Sequence, residues 1–72
     1  MMKTVKVSGE YIQLNQFLKL ESIAYTGGHA REIIENGDVK VNGEVTDVIR
    51  KKLRTGDVVE AGGESYLIET EE

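Results

Sequence analysis

The sequence predicts a single α+β domain in which two packed helices are followed by a small antiparallel sheet. Three observations lead to this prediction: two segments carry apolar residues at helical spacing, two later segments are typical of β-hairpins, and 72 residues are enough for one core only. We therefore assign residues 1–72 to one domain, with an acidic C-terminal hairpin and tail at 60–72.

The first strand and the two helices are predicted from apolar spacing. Val5 and Val7 alternate with polar neighbours, which is typical of a short strand. Leu14, Phe17 and Leu18 lie at positions i, i+3 and i+4 and so share one helix face. The run "HAREIIENG" repeats this spacing, and its final glycine, Gly37, is expected to end the second helix in a left-handed conformation.

The first hairpin is predicted from the Asn-Gly pair in "DVKVNGEV". A two-residue turn would pair Lys40 with Val45. A three-residue loop with a left-handed Gly43 would instead pair Val39 with Val45 and Lys40 with Glu44. We favour the longer loop, because it keeps one face apolar and places opposite charges across from each other.

The rest of the chain predicts an irregular segment and a second hairpin. Residues 46–57 have weak periodicity and are interpreted as a loop or irregular strand, with Leu53 pointing into the core. The second hairpin has Val58–Val59 and Tyr66–Ile68 on either side of Gly62–Gly63. The last three residues, 70–72, are expected to be frayed.

The formal net charge of −4 conceals an asymmetry along the chain. The segment from residue 60 to the end holds five glutamates and no basic residue. Four cations occupy five positions just before it, so a local cationic patch is expected in spite of the acidic total. These four residues, named here the basic segment, are Arg50, Lys51, Lys52 and Arg54.

Composition argues against several classes of function. The chain has no cysteine and one histidine, so we expect no disulfide, no metal site and no cofactor. No spacing pairs a nucleophile with a base, which argues against an enzyme. No apolar run approaches the ~20 residues of a membrane span, and the N-terminus lacks secretory-signal features. We expect a cytoplasmic protein with neither a membrane nor a small-molecule substrate as partner.

The chain from about residue 12 to residue 59 resembles the small RNA-binding module first named in bacterial ribosomal protein S-four, also known as the αL motif. Its stand-alone YaaA-like branch is the most similar in "LKL", in the paired glycines and in the basic stretch. The residues that carry the resemblance are Leu14, Phe17, Leu18, Ala30, Arg31, Ile33, Ile34, Gly37, Val39, Val41, Asn42, Gly43, Gly56, Asp57 and Val59.

The resemblance implies binding of structured RNA, ribosomal or transfer RNA, by the two helices and the following hairpin. It suggests a role in ribosome assembly, translation or translation quality control, with the ribosome or a translation-related protein as further partner. Many family members carry Ser-Arg where this chain has Thr26-Gly27. Two alternatives stay open: a protein-interaction adaptor, and an accessory that acts in trans for an RNA-modifying enzyme.

The adjacent glycines in "YTGGHAREI" allow two interpretations. They form a tight turn between the helices, or they let a phosphate approach the N–H groups at a helix start. Thr26 can cap the helix or donate to the phosphate. The full set of RNA-binding candidates is Thr26, Gly27, Gly28, His29, Arg31, Lys40, Arg50, Lys51, Lys52 and Arg54.

Several candidates also have a purely structural interpretation. Arg31 can pair with Glu35 four residues on, and Lys40 can pair with Glu44 across its hairpin. His29 can stack on a base, bind a phosphate or lie in solvent. Tyr25 can stack on an unpaired base or close the core beneath the linker. Lys19 is a surface lysine with the weakest argument for RNA contact.

Overall fold

The computed structural model describes residues 2–71, and this part of the chain forms seven strands and two helices. The predicted α+β class is confirmed, although strands both precede and follow the helices. The elements are β1 (Met2–Ser8), β2 (Ile12–Gln13), α1 (Leu14–Leu20), α2 (Gly27–Glu35), β3 (Lys40–Val41), β4 (Glu44–Val45), β5 (Lys52–Leu53), β6 (Val58–Ala61) and β7 (Glu64–Glu71).

The main sheet is mixed, and the prediction of an antiparallel sheet was wrong in this respect. Its strand order is β1-β7-β6-β3-β4, and β1 pairs with β7 in parallel. Parallel neighbours need a long crossover connection, which the helices and the first hairpin supply here. The pairing sets Val5 beside Ile68, so both strands turn their apolar faces to the same core.

The end of the chain is ordered as part of this sheet. Thr70 and Glu71 pair with Val7 and Ser8, so the prediction of a frayed tail was wrong for these two residues. Glu72 lies outside the described residues. The C-terminal strand β7 lies between β1 and β6, which makes it a central strand of the domain.

The first hairpin adopts the shorter of the two predicted turns. Lys40 pairs with Val45, and Val41 with Glu44, so the favoured three-residue loop was wrong. Asn42 and its following glycine both have positive φ, 53° and 85°. This is the two-residue turn whose twist matches that of the flanking strands. The turn geometry outweighs the apolar pattern, and Val45 remains 58% exposed.

One core joins both helices to the sheet. Leu14, Phe17 and Leu18 of α1 are buried, as predicted. The Phe17 ring meets that of Tyr66 on β7 edge-on, with ring centroids 5.2 Å apart. Helix α2 packs beside α1, and Gly37 follows its C-cap Asn36 with the predicted left-handed conformation, at a φ of +80°. No helix in residues 2–71 is long and apolar enough to cross a membrane.

Candidate nucleic-acid interface

The basic segment is attached to the start of α1 by backbone hydrogen bonds. Leu14 N donates to Lys51 O at 2.8 Å, and Asn15 N donates to Ile49 O at 3.1 Å. These N–H groups belong to the first helical turn, where no partner exists within the helix. The loop carbonyls therefore satisfy the N-terminus of α1, and this contact fixes the position of the cations in the loop.

The short strand β5 determines which side chains of the basic segment face solvent. It pairs antiparallel with β2, so Leu53 lies opposite Ile12. Leu53 is fully buried, as predicted, while Lys52 and Arg54 on either side of it are exposed. The alternation of a strand thus anchors the segment through Leu53 and presents its neighbours outward.

Tyr11, which the sequence analysis did not single out, supports these cations. The Lys52 ammonium lies 4.9 Å from the Tyr11 ring centroid, and the Arg54 guanidinium carbon lies 5.7 Å from it. Both distances are in the range of a cation–π contact. In the sequence, Tyr11 is marked only by the apolar residue that follows it. Its contact with the cations depends on the pairing of β2 with β5, which neighbouring residues in the sequence do not indicate.

Helix α2 begins at Gly27, so the two glycines form its first turn and do not lie in the linker before it. Thr26 is the N-cap, and its Oγ1 accepts a hydrogen bond from His29 N at 3.0 Å. Ala30 N donates to Thr26 O, which starts the regular helical pattern. The N–H groups of Gly27 and Gly28 are the ones that neither the cap nor the helix can engage.

Neither glycine is required by the fold. Gly27 and Gly28 lack positive φ, unlike Gly37. A Cβ on Gly27 would meet no atom within 4 Å, and one on Gly28 would make an ordinary contact of 3.9 Å with Thr26 Oγ1. The tight-turn interpretation is therefore wrong. The absence of side chains at these two positions leaves the backbone at the start of α2 open to an approaching group.

The start of α2, the start of α1 and the basic loop meet in one open cleft. Asn15 lines it, and among residues 2–71 no hydrogen-bond partner reaches its buried Oδ1 atom. The lining includes both glycines and two arginines, and the Asn15 oxygen is buried beside them. We name it the arginine cleft, and its lining residues are Asn15, Gly27, Gly28, Arg31, Ile49 and Arg50.

Few carboxylates offset this positive charge. Within residues 2–71, the ion pairs are Arg31 Nε with Glu35 at 3.5 Å and Lys3 with Glu21 at 4.0 Å. The Arg31–Glu35 pair was one of the two interpretations offered for Arg31. Both of its side chains are more than half exposed, so the pair contributes little and leaves Arg31 available to an anion.

Lys40 lies in different surroundings from the other candidates. On β3 it is flanked by Val45 on one side and by Glu60 on the other. It lines a second cavity together with Asp38 and Glu64. The structure therefore brings together the glycines, Arg31 and Arg50, and it places Lys40 in an acidic setting apart from them.

Comparisons with known proteins agree with this architecture. A family model described as the S4 domain matches residues 5–69. The probable ribosome maturation protein RlbA of Bacillus subtilis (strain 168) is 38% identical over 63 residues, which cover 88% of this chain and 89% of the relative.

Two solved structures share the fold. YbcJ from E. coli, whose solution structure is described as revealing an αL motif involved in RNA-binding, has a TM-score of 0.65 and 29% identity, with 94% of this chain and 85% of that chain covered. The 30S ribosomal protein S4e from Thermoplasma acidophilum has a TM-score of 0.61 and 28% identity, with 82% of this chain covered. This chain spans only 31% of that larger protein.

Proposed function

The chain belongs to the S4 domain family, and on that premise we propose that it is a non-catalytic protein that binds structured RNA. The RNA is ribosomal or transfer RNA, and the contact surface is the arginine cleft together with the basic segment. Recognition is by shape and charge, as is general for double-stranded RNA. The name of the Bacillus subtilis relative supports a role in ribosome maturation, and we propose that this chain acts in the cytoplasm.

The observation that carries the proposal is the pair of glycines at the start of α2. A side chain at Gly27 or Gly28 would fit the fold, and we infer that its absence lets an anion come close to the backbone N–H groups. These N–H groups and the positive end of the helix dipole suit one phosphate oxygen. Arg31 and Arg50 line the same cleft and supply the charge.

The unpaired oxygen of Asn15 adds a preference for RNA. A buried acceptor without a partner costs about 1–3 kcal/mol, so a ligand that donates a hydrogen bond to it gains affinity. A phosphate has no such donor at neutral pH, whereas a ribose 2′-hydroxyl does. The Asn15 oxygen is buried in the free protein, so its side chain would have to turn towards the cleft to accept from a ribose while Gly27 and Gly28 hold the phosphate.

The basic segment extends this contact along the RNA backbone. Lys52 and Arg54 are held over Tyr11, and their positions are therefore partly ordered before any ligand binds. Cations that neutralise phosphates release counterions, so binding depends steeply on salt. Lys40 would contribute only to an RNA long enough to reach the opposite cavity.

The test is the salt dependence of RNA binding by a charge-reduced variant. We compare Arg50→Ala/Lys52→Ala with Lys3→Ala/Lys6→Ala, which removes the same charge from the edge strand β1, outside the arginine cleft and the basic segment. The first variant should bind ribosomal RNA fragments and transfer RNA more weakly, and its slope of log affinity against log salt should be shallower by about two. The control should keep most of the wild-type slope.

The contrary outcomes are equally clear. If both variants lose affinity alike, binding follows net charge and no specific surface exists. If the wild type binds neither RNA at low salt, the proposal fails. Retrieval of a protein partner by the wild-type chain would then favour the adaptor alternative, and retrieval of an RNA-modifying enzyme would favour the accessory alternative.

A further inference from the structure

Tyr25 is the most exposed large apolar side chain among the described residues. It is 84% exposed, and it stands immediately before the N-cap of α2. The alternative that it closes the core beneath the linker is therefore wrong. An aromatic ring this exposed contributes little to the core, and its face is open to a ligand.

The ring is nevertheless held in place. Tyr25 stacks on His29, with ring centroids 5.5 Å apart and planes inclined by 19°. Tyr25 N donates a hydrogen bond to His29 Nδ1 at 3.1 Å, and Thr26 Oγ1 accepts one from His29 N. Because Nδ1 accepts, the neutral imidazole carries its proton on Nε2. The two rings form one stacked pair at the start of α2.

We propose that the Tyr25–His29 pair is a stacking platform for one unpaired base of the RNA. This inference rests on the proposed function and narrows its ligand class. A base inside a duplex has both faces covered by its neighbours, whereas a bulged or looped base offers a free face. An exposed tyrosine ring binds any such base without hydrogen-bond readout. The ligand is thus an RNA helix interrupted by an unpaired nucleotide.

The position of the platform suits a single nucleotide. Gly27 follows Tyr25 by two residues, so their Cα atoms are separated by at most roughly 7 Å. A base on the free face of Tyr25 therefore has its own phosphate within reach of the Gly27 and Gly28 N–H groups. The platform then binds the base of one nucleotide and the arginine cleft binds its phosphate, while the basic segment contacts the backbone of the flanking duplex.

The experiment uses three RNA hairpins of the same stem: one fully paired, one with a single bulged adenosine, and one with an abasic site at the bulge. Wild-type protein should prefer the bulged hairpin over the other two by about tenfold, since stacking on an aromatic side chain is worth roughly 1–3 kcal/mol. Tyr25→Phe should keep this preference. Tyr25→Leu, which retains apolar bulk without an aromatic face, should abolish it and leave affinity for the paired hairpin within about twofold.

A fluorescent variant gives a second, independent measurement. The chain has no tryptophan, so Tyr25→Trp introduces a single indole at the platform. Its emission should be quenched by the bulged hairpin and should not be quenched by the abasic one. Because residue 25 is exposed, these variants should fold, and urea unfolding checks that they do.

The outcomes separate the two proposals. If the wild type binds all three hairpins alike while Arg50→Ala/Lys52→Ala weakens each of them, RNA binding stands and the platform is refuted. If Tyr25→Leu keeps the bulge preference, the platform is likewise refuted. If the wild type binds no hairpin at any salt concentration, RNA binding fails and the platform falls with it.

Discussion

Asn42 and Asp57, fifteen residues apart, join the two turns that flank the basic segment. Asn42 Nδ2 donates to Asp57 Oδ1 at 3.1 Å, and Asn42 Oδ1 accepts from Val58 N at 2.9 Å. Asp57 Oδ2 accepts from Arg54 N at 2.8 Å. The Asn-Gly hairpin and the Gly-Asp turn are thus one hydrogen-bonded unit. The second carboxylate oxygen of Asp57 holds the backbone of Arg54 in this unit.

Exchanging these two side chains tests the unit. Asn42→Asp places an oxygen against the Asp57 carboxylate, and Asp57→Asn places a donor against Asn42 Nδ2. Each change should lower the free energy of unfolding in urea by about 1–2 kcal/mol. The double variant Asn42→Asp/Asp57→Asn restores every donor–acceptor pair and should recover most of the loss. Additive losses in the double variant would show that the two side chains do not interact.

Alanine substitutions of the glycines at the start of α2 should raise stability and weaken RNA binding. Gly27→Ala and Gly28→Ala lower the entropy of the unfolded chain, and neither creates a clash. Each should raise the free energy of unfolding by up to about 1 kcal/mol. Each should also weaken RNA binding, because the added methyl group would hinder a close approach of the phosphate to the N–H groups. Urea unfolding and RNA titration of the same samples measure both effects.

Gly37→Ala is the matched control for the two helix-start variants. Gly37 ends α2 with a φ of +80°, which a residue with a Cβ adopts only with strain. This variant should lose about 1 kcal/mol of stability and keep its RNA affinity at a temperature where it is folded. A lower free energy of unfolding for Gly27→Ala would contradict the prediction that a side chain fits at this position. Unchanged RNA affinity of Gly27→Ala would show that no phosphate binds at the start of α2.

Asn15→Ala should alter the choice between RNA and DNA. The change removes a buried oxygen that has no partner among residues 2–71, so stability should stay within about 1 kcal/mol of wild type. Affinity for an RNA hairpin should fall, while affinity for the DNA hairpin of the same sequence should stay constant. Competition between the two hairpins measures the ratio. An equal loss for both would exclude a 2′-hydroxyl contact.

Tyr11 should influence RNA binding through the cations that it supports. In Tyr11→Leu, Lys52 and Arg54 lose a contact of about 0.5–1 kcal/mol and become less ordered. We expect a two- to fivefold loss of RNA affinity, about the size of this contact energy, with little change in salt slope because no charge is removed. Tyr11→Phe keeps the aromatic face and should behave as wild type. A loss in both variants would assign the effect to the hydroxyl group.

The sequence by itself determined the local features of this protein. The spacing of Leu14, Phe17 and Leu18 predicted their shared buried face, and Gly37 predicted the end of α2. Leu53 was correctly assigned to the core between two exposed cations. These features depend on helix or strand periodicity and on backbone conformation, which a few neighbouring residues decide. The order of the motifs also sufficed to identify the family.

The tertiary structure alone decided every feature that needs a distant partner. The parallel pairing of β1 with β7, the support of Lys52 by Tyr11 and the position of Asn15 in the arginine cleft join residues far apart in the chain. Periodicity reports which face of an element is apolar, and it does not report which element covers that face. The hairpin register shows the same limit, because the twist of the turn prevailed over the burial of Val45.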